Sequence, residues 1–192
     1  METRDGVGTS TERPFIGVKE TPAEYVILRP KLYVDTSIPS YLTSRPSRDP
    51  QKARWQCVTR EWWMLYRWQF DVYYSGYVED EARRGDPHAA QERIDTLKPF
   101  TKLEKSKAAE EFGAKILSAT HLPAKAIIDA RHVAVAAMHS AKYLLSLNCR
   151  HLANQQIQLK IMHICHSEGY TAPIILTPEE AIRSRTHDIP NS

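Results

Sequence analysis

Three carboxylates and one amide stand at the joints of this sequence. Asp35 directly follows the apolar triplet Leu32-Tyr33-Val34 and opens the run Asp35-Thr36-Ser37, while Glu81, Asp129 and Asn148 each fall where a strand ends or a helix begins. Open parallel α/β sheets gather their sites at the carboxyl ends of strands, so polar residues recurring there point to one convergent site. Carboxylates held close together repel, and either a shared proton or a hard divalent cation such as Mg²⁺ relieves that repulsion.

Each of these residues also has a plain structural use. Asp35 suits the cap of a following helix through its Asp-Thr-Ser turn. Glu81 sits among Glu79, Asp80, Arg83 and Arg84, the setting of a solvated helix charge. Asp129 lies among Ile127, Ile128, Val133, Ala134 and Ala137, an apolar surrounding in which a carboxylate is costly unless paired or metal-bound. His132 reads as structural rather than catalytic, and Asn148 alone as a strand-end turn residue.

The elements that must position these residues alternate between short apolar runs and amphipathic stretches, the pattern of βαβ units and a parallel sheet. Strands are expected at Leu32 to Asp35, Phe70 to Tyr74, Phe100 to Leu103, Tyr143 to Leu147 and Pro173 to Leu176. Between Asp49 and Gln69, Trp55, Val58, Trp62 and Leu65 keep helical spacing and predict one long helix. Further helices are expected around Glu81, from Asp86-Pro87 to Leu97, from Lys105 to Leu117, from Ala124 to His139, and from Leu152 to His166 with Gly169 as its cap. Thr177-Pro178-Glu179-Glu180 has capping-box spacing for a closing helix.

A chain of 192 residues is enough for one domain with a real core. Charged residues are 26% and hydrophobic ones 42%, and the net charge of +3 permits a polyanionic partner without requiring one. Cys57, Cys149 and Cys165 form no CxxC pair, so neither a disulfide framework nor a zinc site is expected, and a cytoplasmic location fits. Met1 to about Pro22 reads as a mobile extension without a signal-peptide pattern, and Tyr25 to Leu28 is a candidate short strand ahead of Pro30. No stretch approaches the roughly 20 apolar residues that span a bilayer. The expected organisation is a flexible extension over 1–30, a domain over 31–184 and a flexible tail over 185–192.

In order along the chain, Tyr33-Val34-Asp35-Thr36-Ser37, Tyr74-Ser75 with Glu81 six residues past the serine, Asp129-Ala130-Arg131-His132-Val133-Ala134 and Leu144-Leu145-Ser146-Leu147-Asn148 resemble the motifs of PIN domains, a family that includes VapC-type toxins. The resemblance covers roughly Lys31 to Glu180. It implies a three-layer α/β/α sandwich around a mainly parallel sheet of about five strands. It also implies Mg²⁺ or Mn²⁺ held by Asp35, Glu81 and Asp129, catalytic roles for these three and Asn148, and Ser37 and Ser146 as donors that orient the carboxylates. Where many PIN domains carry an aspartate, this chain has Asn148, which offers a carbonyl oxygen or positions a water but brings no charge.

The implied activity is metal-dependent endonucleolytic cleavage of RNA, as the toxin of a toxin–antitoxin pair, with a homodimer and an antitoxin as expected partners. The alternative is a weakened PIN-like module that binds RNA or protein without cutting. Arg45, Arg48, Lys52, Arg54 and Arg60, with Arg83, Arg84, Arg131, Arg150 and His151, suggest a basic rim around the acidic centre. On the aromatic helix, Trp55 and Trp62 are expected to pack inward, and Trp63 and Tyr66 to point toward a partner.

Overall fold

The computed structural model describes residues 29–148, 152 and 155–186. The expected extension, the strand at Tyr25 to Leu28, the end of the C-terminal tail, Cys149, Arg150 and His151 lie outside these residues.

Five strands, β1 (Lys31–Val34), β2 (Asp71–Ser75), β3 (Thr101–Leu103), β4 (Tyr143–Leu145) and β5 (Ile174–Leu176), form one sheet in the order β3-β2-β1-β4-β5. Every pairing is parallel, with Leu32 opposite both Val72 and Tyr143. β1 is central, and its Leu32, Tyr33 and Val34 are fully buried, as a strand covered on both faces requires. Burying each aliphatic side chain contributes about 1.5–3 kcal/mol.

After β1 the chain forms α1 (Ser37–Thr43) and α2 (Pro50–Glu61); α3 (Gly76–Ala82) and α4 (Pro87–Leu97) follow β2. β3 leads to α5 (Lys107–Thr120) and α6 (Ile127–Met138), β4 to α7 (Gln155–Ser167), and β5 to α8 (Pro178–Thr186). One layer packs α5 on α6 and α7; the other packs α1 on α2 and α4, with α8 against α2. The fold is therefore the expected three-layer sandwich. Strand order reverses between β1 and β4, which opens a crevice at their carboxyl ends.

Local chemistry explains the helix ends. Asp49 and Asp86 cap α2 and α4 through the amides of Lys52 and Ala89, each at 2.9 Å, with Pro50 and Pro87 beginning the helices. Thr177 and Glu180 close a reciprocal capping box at 2.8 and 3.2 Å. Gly169, at φ 82°, supplies the left-handed turn after α7. Gly113 on α5 lets α6 come close, because a Cβ there would lie 2.9 Å from Arg131 Cγ and 3.2 Å from its Cα. That approach fixes the depth of the helix carrying Asp129 and His132.

The expected helix from Asp49 to Gln69 changes pitch midway. It is α-helical to Glu61, a π-turn over Trp62–Tyr66 and 3₁₀ over Arg67–Gln69. A π-turn holds more residues per revolution, so side chains beyond it leave the faces that a 3.6-residue period assigns. Trp63 and Tyr66, expected to face outward, pack against the core, and Trp63 meets Phe100 edge-on at 5.3 Å. Leu65, expected on the apolar stripe, is 63% exposed beside exposed Met64 and Trp68. Trp62 is fully buried and Trp55 packs against the core, as the spacing predicts. Among the described residues, no helix is long and apolar enough to cross a membrane.

Candidate active site

A cleft of about 270 Å³ opens at this crevice, and its walls include Asp35, Glu81, Asp129, His132, Asn148 and Tyr41. Asp35 leaves the end of β1, Glu81 comes from α3 behind β2, Asp129 from the first turn of α6, and Asn148 from the segment after β4. All four residues expected at the site line this one space, with Ser37 beside them.

Asp35 is 4% exposed and held by neutral donors. Its Oδ1 accepts from the Ser37 amide at 2.9 Å and from Ser37 Oγ at 2.5 Å, and its Oδ2 accepts from Ser146 Oγ. The bond from the Ser37 amide forms an Asx turn just ahead of α1, whose N-cap is Thr36 without a side-chain cap bond, so Asp35 stands one residue before the cap position anticipated for it. Ser37 Oγ in turn accepts from the Leu147 amide at 2.8 Å, and Ser146 Oγ from the Asn148 amide at 2.9 Å. Both serines thus orient Asp35 and also tie the β1 turn to the β4 turn. Burial pushes the Asp35 carboxyl above its ordinary range, which the charge of His132 and the hydroxyls of Ser146 and Ser37 only partly offset.

Glu81 is held differently. Its Oε2 accepts from Thr36 Oγ1 at 2.6 Å and meets His132 Nε2 at 3.1 Å. Burial works against its ionisation, yet the bonds from His132 and Thr36 win and hold the carboxyl below its ordinary value. Its sequence neighbours turn elsewhere: Glu79 pairs with Arg83 and Lys102, and Asp80 with Lys105 at 2.7 Å.

Behind His132 lies a buried chain. His132 Nδ1 meets Tyr33 Oη at 2.8 Å, and Tyr33 Oη meets Ser75 Oγ at 2.6 Å. Glu81, when ionised, only accepts, so Nε2 carries the hydrogen of that contact, and Tyr33 Oη links Nδ1 to Ser75 Oγ. Burial raises the Tyr33 phenol well above its ordinary value, so it stays a donor. Spacing alone missed Thr36, Tyr33 and Ser75, and gave His132 no place at the site. The available signal was that His132 lies three residues after Asp129, on the same helical face.

Asp129 is half-buried rather than deeply buried, because it sits in the half-buried first turn of α6, ahead of the buried run that begins at His132. Asn148 Nδ2 donates to Asp129 Oδ1 at 2.7 Å. The amide nitrogen thus faces the carboxylate, in place of the carbonyl oxygen or positioned water expected of this residue.

The donor set suits a hard cation: carboxylate oxygens line a polar cleft, and among the described residues neither Glu81 Oε1 nor Asp35 is ion-paired to lysine or arginine. Among the same residues, no group of three or more His, Cys, Asp or Glu side chains stands ready to hold an ion. Mg²⁺ keeps several waters and uses one or two carboxylates, so it does not require such a group. The basic rim is uneven. Arg54 pairs with Glu179 at 2.9 Å, Arg83 with Glu79, and Arg131 lies over the Tyr77 ring.

No family model matches the sequence, and no curated protein matches it. Among solved structures it is similar to VapC20 of Mycobacterium tuberculosis, described as a sarcin-ricin-loop-cleaving toxin. The TM-score is 0.51 and the identity 18%, over 64% of this chain and 94% of that one. VapBC2 from Rickettsia felis, bound to a DNA fragment from its promoter, is similar at TM-score 0.48 and 12% identity, over 76% of this chain and 97% of that one. The sheet order, the three layers and the VapC20 likeness establish that this chain has a PIN-like fold of the VapC kind.

Proposed function

We propose that the chain is a metal-dependent endoribonuclease, and that Asp35, Glu81, Asp129 and Asn148 form its active site. The observation that carries this reading is the convergence of three carboxylates from three separate elements on one cleft at the strand-order reversal. Asp35, Glu81 and Asp129 would hold Mg²⁺ or Mn²⁺, which when bound lowers the pKa of a coordinated water and stabilises charge on a phosphoryl oxygen.

The chain's own residues prepare that chemistry. Ser37 and Ser146 fix both oxygens of Asp35, and Thr36 and His132 fix Oε2 of Glu81, leaving Oε1 toward the cleft. Glu81, kept ionised by its donors, has Oε1 left either to hold the ion or to take the proton of a water that bonds to phosphorus as the bond to the leaving ribose oxygen breaks, that oxygen taking a proton from solvent. Asn148 holds Asp129 in place at Oδ1. VapC20 is a toxin of this fold, and we extend that role here: toxin of a pair, inhibited by an antitoxin, acting in the cytoplasm. Exposed Met64, Leu65 and Trp68 supply an apolar face for a homodimer. Sedimentation as a monomer at micromolar concentration would remove that part.

The test is cleavage of single-stranded and structured RNA and DNA with Mn²⁺, Mg²⁺ or EDTA, beside Asp35→Asn. Cutting of RNA that needs metal and vanishes in the variant supports the nuclease. The lack of a ready-made ligand group among the described residues and the Asn148 amide on Asp129 favour one second reading, a module that binds RNA without cutting. Retention of RNA with no cleavage under any metal would select it.

A further inference from the structure

A second cleft, of about 350 Å³, adjoins the acidic one and is lined by Ser40, Tyr41, Ser44, Arg45, Lys52 and Gln56. Tyr41 belongs to both walls, so the two spaces meet across one aromatic ring. The sign of the charge changes across that ring. Three carboxylates line the first cleft, whereas Arg45 and Lys52 line the second. Both cations are exposed, and among the described residues neither forms an ion pair, while neighbouring Arg54 is committed to Glu179. Burial first, and the charge of Asp49 second, push the Tyr41 phenol above its ordinary value.

The walls of the second cleft are fixed before anything binds. Gln56, 4% exposed, donates from Nε2 to Ser44 Oγ at 2.6 Å and to the Arg45 carbonyl at 2.7 Å, while its Oε1 accepts from the Ser47 amide at 2.9 Å. A buried amide satisfied at both ends clamps the loop between α1 and α2, and with it the base of Arg45. The Tyr41 ring is braced edge-on against Trp55 at 5.6 Å. Gln56 and Trp55 are adjacent on α2, so one helix sets both the cation and the aromatic ring.

We infer that this cleft seats the nucleotide flanking the scissile bond of a single-stranded RNA, with its phosphate on Arg45 and Lys52 and its base on Tyr41. The inference rests on the nuclease reading above and names its substrate form. A guanidinium fork and an ammonium suit a phosphate oxyanion, and a fixed aromatic ring suits an unpaired base whatever its identity. Paired bases are stacked within a duplex and cannot lie on Tyr41, so the strand must be single. A basic seat next to an acidic centre also holds a polyanion where the carboxylates alone would repel it.

The test uses the full chain in EDTA with a fluorescein-labelled oligouridine, free and annealed to its complement, so that binding is read without cleavage. The double variant Arg45→Ala/Lys52→Ala alters only exposed side chains; it should weaken binding and flatten the slope of log affinity against log salt by about 1.4, two contacts at about 0.7 each. Tyr41→Leu keeps apolar packing and should weaken single-strand binding about five-fold or more, with the salt slope unchanged. Lys98→Ala, in the turn between α4 and the edge strand β3 and outside both clefts, should match the wild type. Wild-type affinity and slope in the double variant, stronger binding to the duplex, or no binding by the wild type would each overturn the inference. Asp35-dependent cleavage with an unaffected double variant would leave the nuclease standing and remove the seat. Binding through the seat with no cleavage in any metal would do the reverse.

Discussion

Asp35 and Glu81 line the same cleft, yet Asp35 is held by serine hydroxyls from its own turn and the neighbouring strand, whereas Glu81 is held by an imidazole and a threonine. Both pay for desolvation, but only Glu81 has donors strong enough to reverse its effect, so the Asp35 carboxyl rises while Glu81 falls. Two like groups whose environments drive them apart are suited to different tasks. Asp35 is a carboxylate whose charge calls for a cation, and Glu81 is one kept ionised by the protein itself.

The largest expected effect comes from removing the first of these. Asp35→Asn should lower cleavage by about 10³-fold, the several kcal/mol of charge stabilisation that a metal site supplies. Stability should move the other way. Because the folded-state value of Asp35 is raised, its contribution is full below the ordinary carboxyl range and is lost as pH rises through the raised value. The variant lacks this loss, so its advantage in urea midpoint should open across that window and then stay level. A midpoint gap that does not change with pH would mean that Asp35 is not desolvated as the fold indicates.

Next comes the imidazole. His132→Ala should cost about 10–100-fold in cleavage, the usual scale for a residue that orients a ligand. His132→Gln, which can place an amide hydrogen near the position of Nε2, should restore much of the rate, whereas His132→Asn, which reaches only toward Tyr33, should not. Glu81 contributes stability above its unfolded value and loses it as pH falls through the depressed folded one. The stability difference between wild type and His132→Ala should therefore narrow in acid. Equal rates for the Gln and Asn variants would reduce His132 to a packing residue.

One step further back, Tyr33→Phe leaves Ser75 Oγ and His132 Nδ1 without their buried partner. The cost should be about 1–3 kcal/mol, at about 2–4 °C in Tm for each kcal/mol. Cleavage should fall less than in His132→Ala, because Nε2 keeps its own bond to Glu81.

The sheet was legible because β1 and β4 are short apolar runs ending in polar residues, and the caps because Asp49, Asp86 and Thr177 act through bonds to residues a few positions away. The outward and inward faces beyond Glu61 were not legible. The π-turn is a tertiary outcome in which Trp63 is drawn onto Phe100, and no sequence period records it. At the site, residues at strand ends could be named one by one, since each lies at a joint in its own segment. The links between them could not, because Tyr33, Ser75, His132 and Glu81 come from four different elements.

Asn148 bears on the contrast between the two carboxylates from the side of Asp129. Its Nδ2 donates to Asp129 Oδ1 at 2.7 Å, so it neutralises by hydrogen bonding what an aspartate would oppose by charge. Asn148→Asp places two carboxyl groups where one bond now sits, and they must share a proton or recruit a cation. Without metal the variant should be less stable by about 1 kcal/mol, or about 2–4 °C in Tm for a chain of this size. With saturating Mn²⁺ it should regain that loss and show a larger metal-induced rise in Tm than the wild type. An equal rise in both proteins would place Asn148 outside the ion's reach and leave holding Asp129 as its only role.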